Sequence, residues 1–313
     1  MTAEIMTCEG KRYRLPELLC WRLEYACGVP CDSFRVECPF FPENGESYEK
    51  AVRFFAYEGG QTVFTGVIDE VEWTHGPKGR RVSVIGRSLA ALLLDNEAEA
   101  ADYGVATLGD ILRDHVFPYG IQVGEGTDIP ACRNFSVASG QSEWQVLYQF
   151  CRYHGGVPPR FDREGRLILA PFRDGGEKLL GPRVPVTELT RTERRYGILS
   201  EVLVRDKRRK TAERVTNPAF LAEGGQCRRV ISAGGSNVQA LRYSGQFQLD
   251  KAWGERRRLT VTVPRLFFAW PGELLRMERS GWTGTWRVLE SVVTLDEGGS
   301  RTALTLGMPD TVI

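Results

Sequence analysis

The chain reads as α+β and mainly β, with a small β unit at each end and a mixed α/β region between them. Three observations predict this. Alternating apolar residues fill the first and last thirds of the sequence. Helical spacing with cap residues is concentrated in the middle third. The 34 glycines among 313 residues suit many tight turns. The length is past what one hydrophobic core fills, so two or three domains are expected.

The first region is assigned to residues 1–95. CDSFRVECPF puts Phe34, Val36 and Cys38 on one face, and Glu58-Gly59-Gly60 reads as a hairpin turn. RRVSVIGR puts Val82 and Val84 on one face. Ser88 stands where an N-cap belongs, and Leu89, Leu92 and Leu93 give helical spacing after it, closing the unit near Asp95. The second region, 96–185, holds two helices. In ATLGDILRDHVFPYG, Thr107 caps, Leu108, Ile111 and Leu112 form the apolar face, and Pro118 ends the helix. In SEWQVLYQFCRYHGG, Ser142 caps, Trp144, Leu147, Tyr148 and Cys151 line one face, and Gly155-Gly156 terminates. A hairpin around Arg163-Glu164-Gly165 follows, with Leu167 and Leu169 facing in, and the Gly- and Pro-rich 175–186 marks a boundary.

The third region, 186–313, returns to strands: a hairpin over 198–216 with a charged tip, the alternating RRRLTVTVP, and a closing hairpin that turns at 296–300. Within it, 217–248 is polar and Gly-rich and reads as a long loop or insertion. VIDEVEWTHGPKGRRVSVIG at 67–86 overlays VLESVVTLDEGGSRTALTLG at 288–307 without gaps, matching Asp69 to Glu290, Val71 to Val292, Arg80 to Arg301 and Gly86 to Gly307. A repeated β unit is the architecture this suggests.

Composition excludes several functions. The balance of 41 basic against 40 acidic residues argues against a general nucleic-acid binder. The N-terminus carries acids early and has no apolar core, unlike a signal peptide, and no apolar run reaches the roughly 20 residues of a spanning helix. Synthesis and assembly in the cytoplasm follow as the expectation. Five of the eight cysteines (Cys8, Cys20, Cys27, Cys31 and Cys38, beside Cys132, Cys151 and Cys227) fall in the first 38 residues. Their spacing lacks the close pairs of a zinc site, so they read as free thiols acting as small apolar side chains.

No residue takes a catalytic, cofactor or metal role on this reading. Asp69 is expected on the strand face opposite Glu70 and Glu72, with no nucleophile placed near any of them. His75, His115 and His154 are scattered. GEGT at 124–127 and GGSN at 234–237 lack a phosphate-loop pattern. The runs at 205–210 and Arg256-Arg257-Arg258 read as a solvated hairpin tip and a strand entry, with contact to phosphates, a lumen or an acidic partner left open. Trp270, Trp282 and Trp286 read as core, with interface use open.

Gly66, Ile68, Asp69, Gly86, Arg87, Ser88, Leu89, Leu93 and Asp95 occur in the order "G-x-I-D, strand, polar turn, strand ending in G-R-S/D-L, leucine helix closing on Asp". The order resembles the baseplate hub proteins of contractile phage tails, the Mu-like and late-control D group, and the related hubs of prophage tails, tailocins and type VI secretion spikes. SEWQVLYQFCRYHGGVPPRFDREGRLILAP and WRVLESVVTLDEGGSRTALTL continue the resemblance, whereas the Cys-rich start and 217–248 depart from it. The resemblance implies two similar tube-type β-barrel domains, 1–95 and 186–313, flanking the middle region. It also implies a homotrimer whose six barrels continue the sixfold tail tube and meet a threefold spike. Tube, spike, wedge and tape-measure-associated proteins would be its partners, and the particle baseplate its location. Two other readings stand beside it: a β-rich tail-associated hydrolase acting on the cell wall, and a soluble ligand-binding module.

Overall fold

A computed structural model describes all residues except 172–176, 207–209, 234–237, 280 and 312–313. The chain forms two compact units: Met1–Arg173 with Val292–Ser300, and Asp174–Ser291 with Arg301–Ile313. The α+β, mainly β character holds in both.

In the first unit, β1 (Thr2–Thr7), β2 (Arg12–Arg14), β3 (Cys20–Ala26) and β4 (Ser33–Pro39) precede a short helix α1 (Gly45–Glu49). The strands β5 (Ala51–Glu58), β6 (Gln61–Gly76) and β7 (Gly79–Ser88) follow, then α2 (Ala90–Asp95). The sheet runs β3-β4-β7-β6-β5-β1-β2, and no pairing among the described residues joins β2 back to β3 to close a barrel. Alternation sends Phe34, Val36 and Cys38 inward with Val82 and Val84, as their spacing requires. Phe34 stacks on Phe54 with ring centroids 3.9 Å apart, and Phe64 meets Phe34 edge-on. Gly66 and Gly86 make room for these rings. A Cβ on Gly86 would stand 2.7 Å from the Phe34 ring, and one on Gly66 would stand 2.8 Å from Phe64.

Ser88 departs from expectation. It ends β7, and the residue capping α2 is Leu89, which offers no side-chain bond. The Ser88 hydroxyl instead accepts the Asp32 N–H at 3.1 Å, while the Ser88 N–H donates to the Asp32 carbonyl at 2.9 Å. A serine before an apolar run signals a cap only when the chain bends there. Here the ladder with β6 continues through Ser88 and claims the residue.

The rest of the first unit comprises β8 (Ala101–Ala106), α3 (Leu108–His115), β9 (Val123–Gly126), β10 (Cys132–Val137), α4 (Glu143–Tyr148), β11 (Arg160–Phe161) and β12 (Leu167–Leu169). Both helices open with the expected caps, Thr107 and Ser142, each of which completes a capping box, with Asp110 and Gln145 respectively. A π-helical turn, Gln149–His154, prolongs α4. Trp144, Leu147, Cys151, Leu167 and Leu169 are buried in one core with Leu93, Ile111 and Phe135.

The second unit holds β13 (Lys178–Leu180), β14 (Glu188–Glu193), β15 (Glu201–Asp206), β16 (Thr211–Thr216), α5 (Pro218–Ala222), β17 (Arg228–Ala233) and α6 (Val238–Gly254). The strands β18 (Arg257–Val263), β19 (Leu274–Met277), β20 (Gly284–Asp296) and β21 (Gly299–Gly307) follow, the tip of the last hairpin counting with the first unit. One sheet runs β14-β18-β21-β20, with β19 on β20 and β13 parallel to β19. Its core is aliphatic: Leu259, Val261, Val288, Leu304 and Leu306, with Trp282 and Trp286 packed against it. A second sheet, β16-β15-β17, is covered by α6.

The polar stretch 217–248 is therefore not a long loop, because it forms α5, β17 and most of α6. Leu241, Gly245 and Leu249 form the buried stripe of α6, one turn apart. A Cβ on Gly245 would stand 2.7 Å from Val215, so glycine brings this helix close to its sheet. Glycine in the middle of the stripe erases the apolar periodicity by which a helix is read.

Candidate functional site

Two of the three carboxylates of β6, Asp69 and Glu72, are engaged in ion pairs. The β6–β7 register shifts between Ile68 and Glu70, so Asp69 is the extra residue of a β-bulge and simple alternation does not place it. Arg87 donates to Asp69 at 2.7 and 2.9 Å and to Asp95 at 2.6 and 3.1 Å, tying the bulge to the end of α2. Glu72 pairs with Arg35 at 2.9 Å. His75 lies on β6 opposite Arg80 and is exposed. Nothing here offers a general acid beside a nucleophile.

Sequence reading left His115 alone, but the fold gives it company. Its Nδ1 is 2.6 Å from Glu143 Oε2, and its Nε2 is 3.0 Å from the Tyr103 hydroxyl. Tyr119 donates to Glu143 at 3.0 Å and Tyr103 to Asp114 at 3.0 Å. Burial first, then the acid each one faces, pushes both tyrosine hydroxyls up to about 12. The cluster has the members of an acid–base relay, yet His115 is only 3% exposed and both ring nitrogens are occupied. It is a satisfied polar bracket between α3 and α4. Glu143 follows the cap Ser142, where an acid reads as helix-dipole chemistry, and this concealed its partnership with a histidine 28 residues earlier.

His154 Nε2 is 2.9 Å from the Pro130 carbonyl. The first three residues of GEGT, Gly124 to Gly126, end β9, which pairs with β12, while GGSN lies outside the described residues. The triplet at 256–258 is largely neutralised in place: Arg256 pairs with Glu223 at 2.8 Å and Arg257 with Glu193 at 2.7 Å. Of the run 205–210, residues 207–209 lie outside the described residues. All eight cysteines are free; Cys38 and Cys151 are buried as small apolar side chains, whereas Cys8 is exposed.

One carboxylate does stand out. Half-buried Asp32 accepts, among the described residues, only the Ala26 N–H, at 3.1 Å, and desolvation pushes its pKa up to about 7.

The surfaces left unfinished are sheet edges. Strand β14 pairs only with β18, so its outer row of N–H and C=O groups has no strand partner among the described residues. Tyr196, shortly after it, is 91% exposed. At the end of the other sheet β2 is a short strand, exposed throughout. Such features suit contact between protein chains better than chemistry on a small substrate.

No family model matches the sequence, and no curated protein matches it. The fold does have counterparts among solved structures. A tail protein from Neisseria meningitidis MC58 superposes with a TM-score of 0.78 at 18% identity, over 99% of this chain and 98% of that one. The 43 kDa tail protein of prophage MuSo2 from Shewanella oneidensis gives 0.75 at 17% identity, over 99% of each chain. An E. coli component of the type VI secretion system, described as similar to bacteriophage T4 tail proteins, gives 0.58 at 13% identity, over 93% of this chain and 73% of that one. The resemblance to phage-tail and type VI secretion proteins read from the sequence thus has its match in structure, and the chain has the fold of these tail proteins.

Proposed function

We propose that the protein is a non-enzymatic structural component of a contractile tail, its baseplate hub. The observation that carries this reading is likeness over essentially the whole chain to a tail protein, covering 99% of this sequence and 98% of that one. Three copies form a ring in which residues 1–95 and 186–313 act as two tube-type β domains, flanking the middle region 96–185. The ring joins the sixfold tail tube to the threefold central spike and templates tail assembly. Its partners are further copies of itself and the tube, spike, wedge and tape-measure-associated proteins. It resides in the baseplate of a phage, prophage or tailocin particle built in the host bacterial cytoplasm.

The physical support lies in the edges. Head-to-tail contacts between identical chains close a ring when each step turns by about 120°. Pairing of strand edges such as β14 across those contacts removes the template for aggregation that a lone subunit presents. Two hairpins of like build, β6–β7 and β20–β21, supply the repeat that a threefold ring with sixfold character requires.

Light scattering after size exclusion tests this directly. The expected mass is three times the 35.2 kDa chain, with rings in negative stain. A chain that stays monomeric even when co-expressed with its spike protein overturns the hub reading.

A further inference from the structure

We propose that a groove beside α2 in the first unit is a docking site for a peptide segment of a partner protein that presents a carboxylate to Arg53. This does not rest on the tail reading, because the groove and its cation belong to this chain alone.

Two strand ladders break at this one place. Between β1 and β5, Met6 pairs with Arg53 and Thr7 with Ala51, which leaves Val52 as an extra residue. Between β6 and β7, Asp69 is the extra residue. Thr7, Val52, Arg53 and Asp69 line the same groove, together with Leu92 and Asp95 from α2. Bulges bend a strand and re-aim its side chains, and two of them opening on one groove shape it from both sides. The groove holds about 560 Å³, room for several side chains rather than for a lone ion.

Arg53 is a cation left over inside the sheet. Several of the sheet's arginines are matched: Arg12 with Glu4, Arg35 with Glu72, Arg81 with Glu37, and Arg87 with Asp69 and Asp95; Arg14 and Arg80 have no ion pair among the described residues but are exposed to water. Arg53 is half-buried, yet its guanidinium has no hydrogen bond or ion pair among the described residues, and burial alone lowers its pKa. A desolvated guanidinium without a counter-ion is costly, and a bidentate carboxylate is the partner its geometry suits best. Thr7 lies beside it with a buried hydroxyl that also lacks a partner. Val52, 41% exposed, adds apolar surface. On the far wall two carboxylates share Arg87, an excess of one negative charge. That wall disfavours a doubly charged phosphate and tolerates a single carboxylate.

The test is a methyl NMR titration of the intact protein with the capped peptides Ac-Val-Asp-Val-NH2 and Ac-Val-Asn-Val-NH2, with inorganic phosphate as a third probe. The Asp peptide should produce saturable shifts at the Val52, Val67 and Leu92 methyls. The Asn peptide should bind about tenfold more weakly, and Arg53→Met should weaken the Asp peptide by about the same factor. Equal binding of the two peptides, tighter binding of phosphate, or no saturable shift at about 20 mM peptide overturns the proposal. Thermal melting of Arg53→Met supplies an independent arm. Removal of an uncompensated charge should leave the Tm unchanged or higher, whereas a fall beyond about 5 °C would make Arg53 part of the fold's own framework.

Discussion

The hairpins β6–β7 and β20–β21 are built alike and filled differently. Each is a long pair of strands joined by a tight turn ending in a left-handed glycine, Gly79 (φ 88°) in one and Gly299 (φ 96°) in the other. Aligned on those glycines, Val82 and Val84 fall on Thr302 and Leu304, and all four are buried. The gap-free overlay read from the sequence is one residue out: it sets Val82 and Val84 against Ala303 and Thr305, which are only half-buried. A slip of one residue turns every side chain to the other face of a strand, so only the turn-based alignment preserves the core. In the first hairpin Gly66 and Gly86 leave space for Phe34, Phe54 and Phe64. In the second, the residue aligned with Gly86 is Leu306, inside an aliphatic core. The same backbone plan is thus satisfied by aromatic rings over glycine or by branched aliphatics over one another, and the side chains retain little memory of the repeat.

The largest expected effect breaks this comparison at its aligned position. Gly86→Ala drives a Cβ into the Val67 carbonyl oxygen and against the Phe34 ring, and backbone cannot yield as a flexible side chain does. We expect a loss of about 3 kcal/mol, at the upper end of overpacking costs. Leu306→Ala should lose a similar amount, about 3 kcal/mol, for the opposite reason, because it leaves a cavity. Denaturant unfolding of both variants is the check. A loss below about 1 kcal/mol for Gly86→Ala would mean the glycine is incidental to the packing.

The same contrast explains what the sequence disclosed. Strands whose inward residues are all apolar, such as β4 and β18, were legible from alternation alone. So were α3 and α4, whose cap side chains bond as their spacing demands. Helix α6 was not, because Gly245 occupies the middle of its buried stripe. The site was harder still. Bulges at Val52 and Asp69 are one-residue shifts between partner strands, and no local pattern in a single strand reveals them. That Arg87 is matched and Arg53 is not depends on which strands lie side by side. The pair His115 and Glu143 depends on the packing of two helices.

A second prediction concerns how the first hairpin ends. Its last residue, Ser88, is clamped to Asp32, the half-buried carboxylate pushed up to about 7. The second hairpin ends instead on Gly307, which has no side chain for such a clamp. An unfolded aspartate titrates near roughly 3.9, so between that pH and about 7 the folded state keeps a proton that the unfolded state has released. This group's contribution is therefore complete below about pH 4 and is lost as pH rises towards 7. The full shift bounds the loss at about 4 kcal/mol, and water reaching the half-exposed loop before Asp32 should reduce it to about 2 kcal/mol. Stability of the wild type measured from pH 5 to pH 8 should decline accordingly. Asp32→Asn keeps an oxygen for the Ala26 N–H and should flatten the profile; an unchanged slope would assign the pH dependence elsewhere.

The smallest effect separates charge from packing as the device that holds the bulge in β6. Arg87 bridges Asp69 and Asp95, but it is 35% exposed and Asp69 34%, so solvent screens most of the attraction. Arg87→Met should cost only about 1 kcal/mol at low ionic strength, and about 1 M salt should remove most of the difference from wild type. Arg87 also holds the Asp95 carboxyl below the usual carboxylate range, so the stability that pair supplies is present at neutral pH and lost on acidification, opposite in sign to Asp32. Salt and acid titrations of the variant therefore read the triad without interference from Asp32. A loss near 3 kcal/mol that persists in high salt would show that the bulge depends on the triad, and the difference between the two hairpins would then lie in charge rather than in the glycines that admit the phenylalanines.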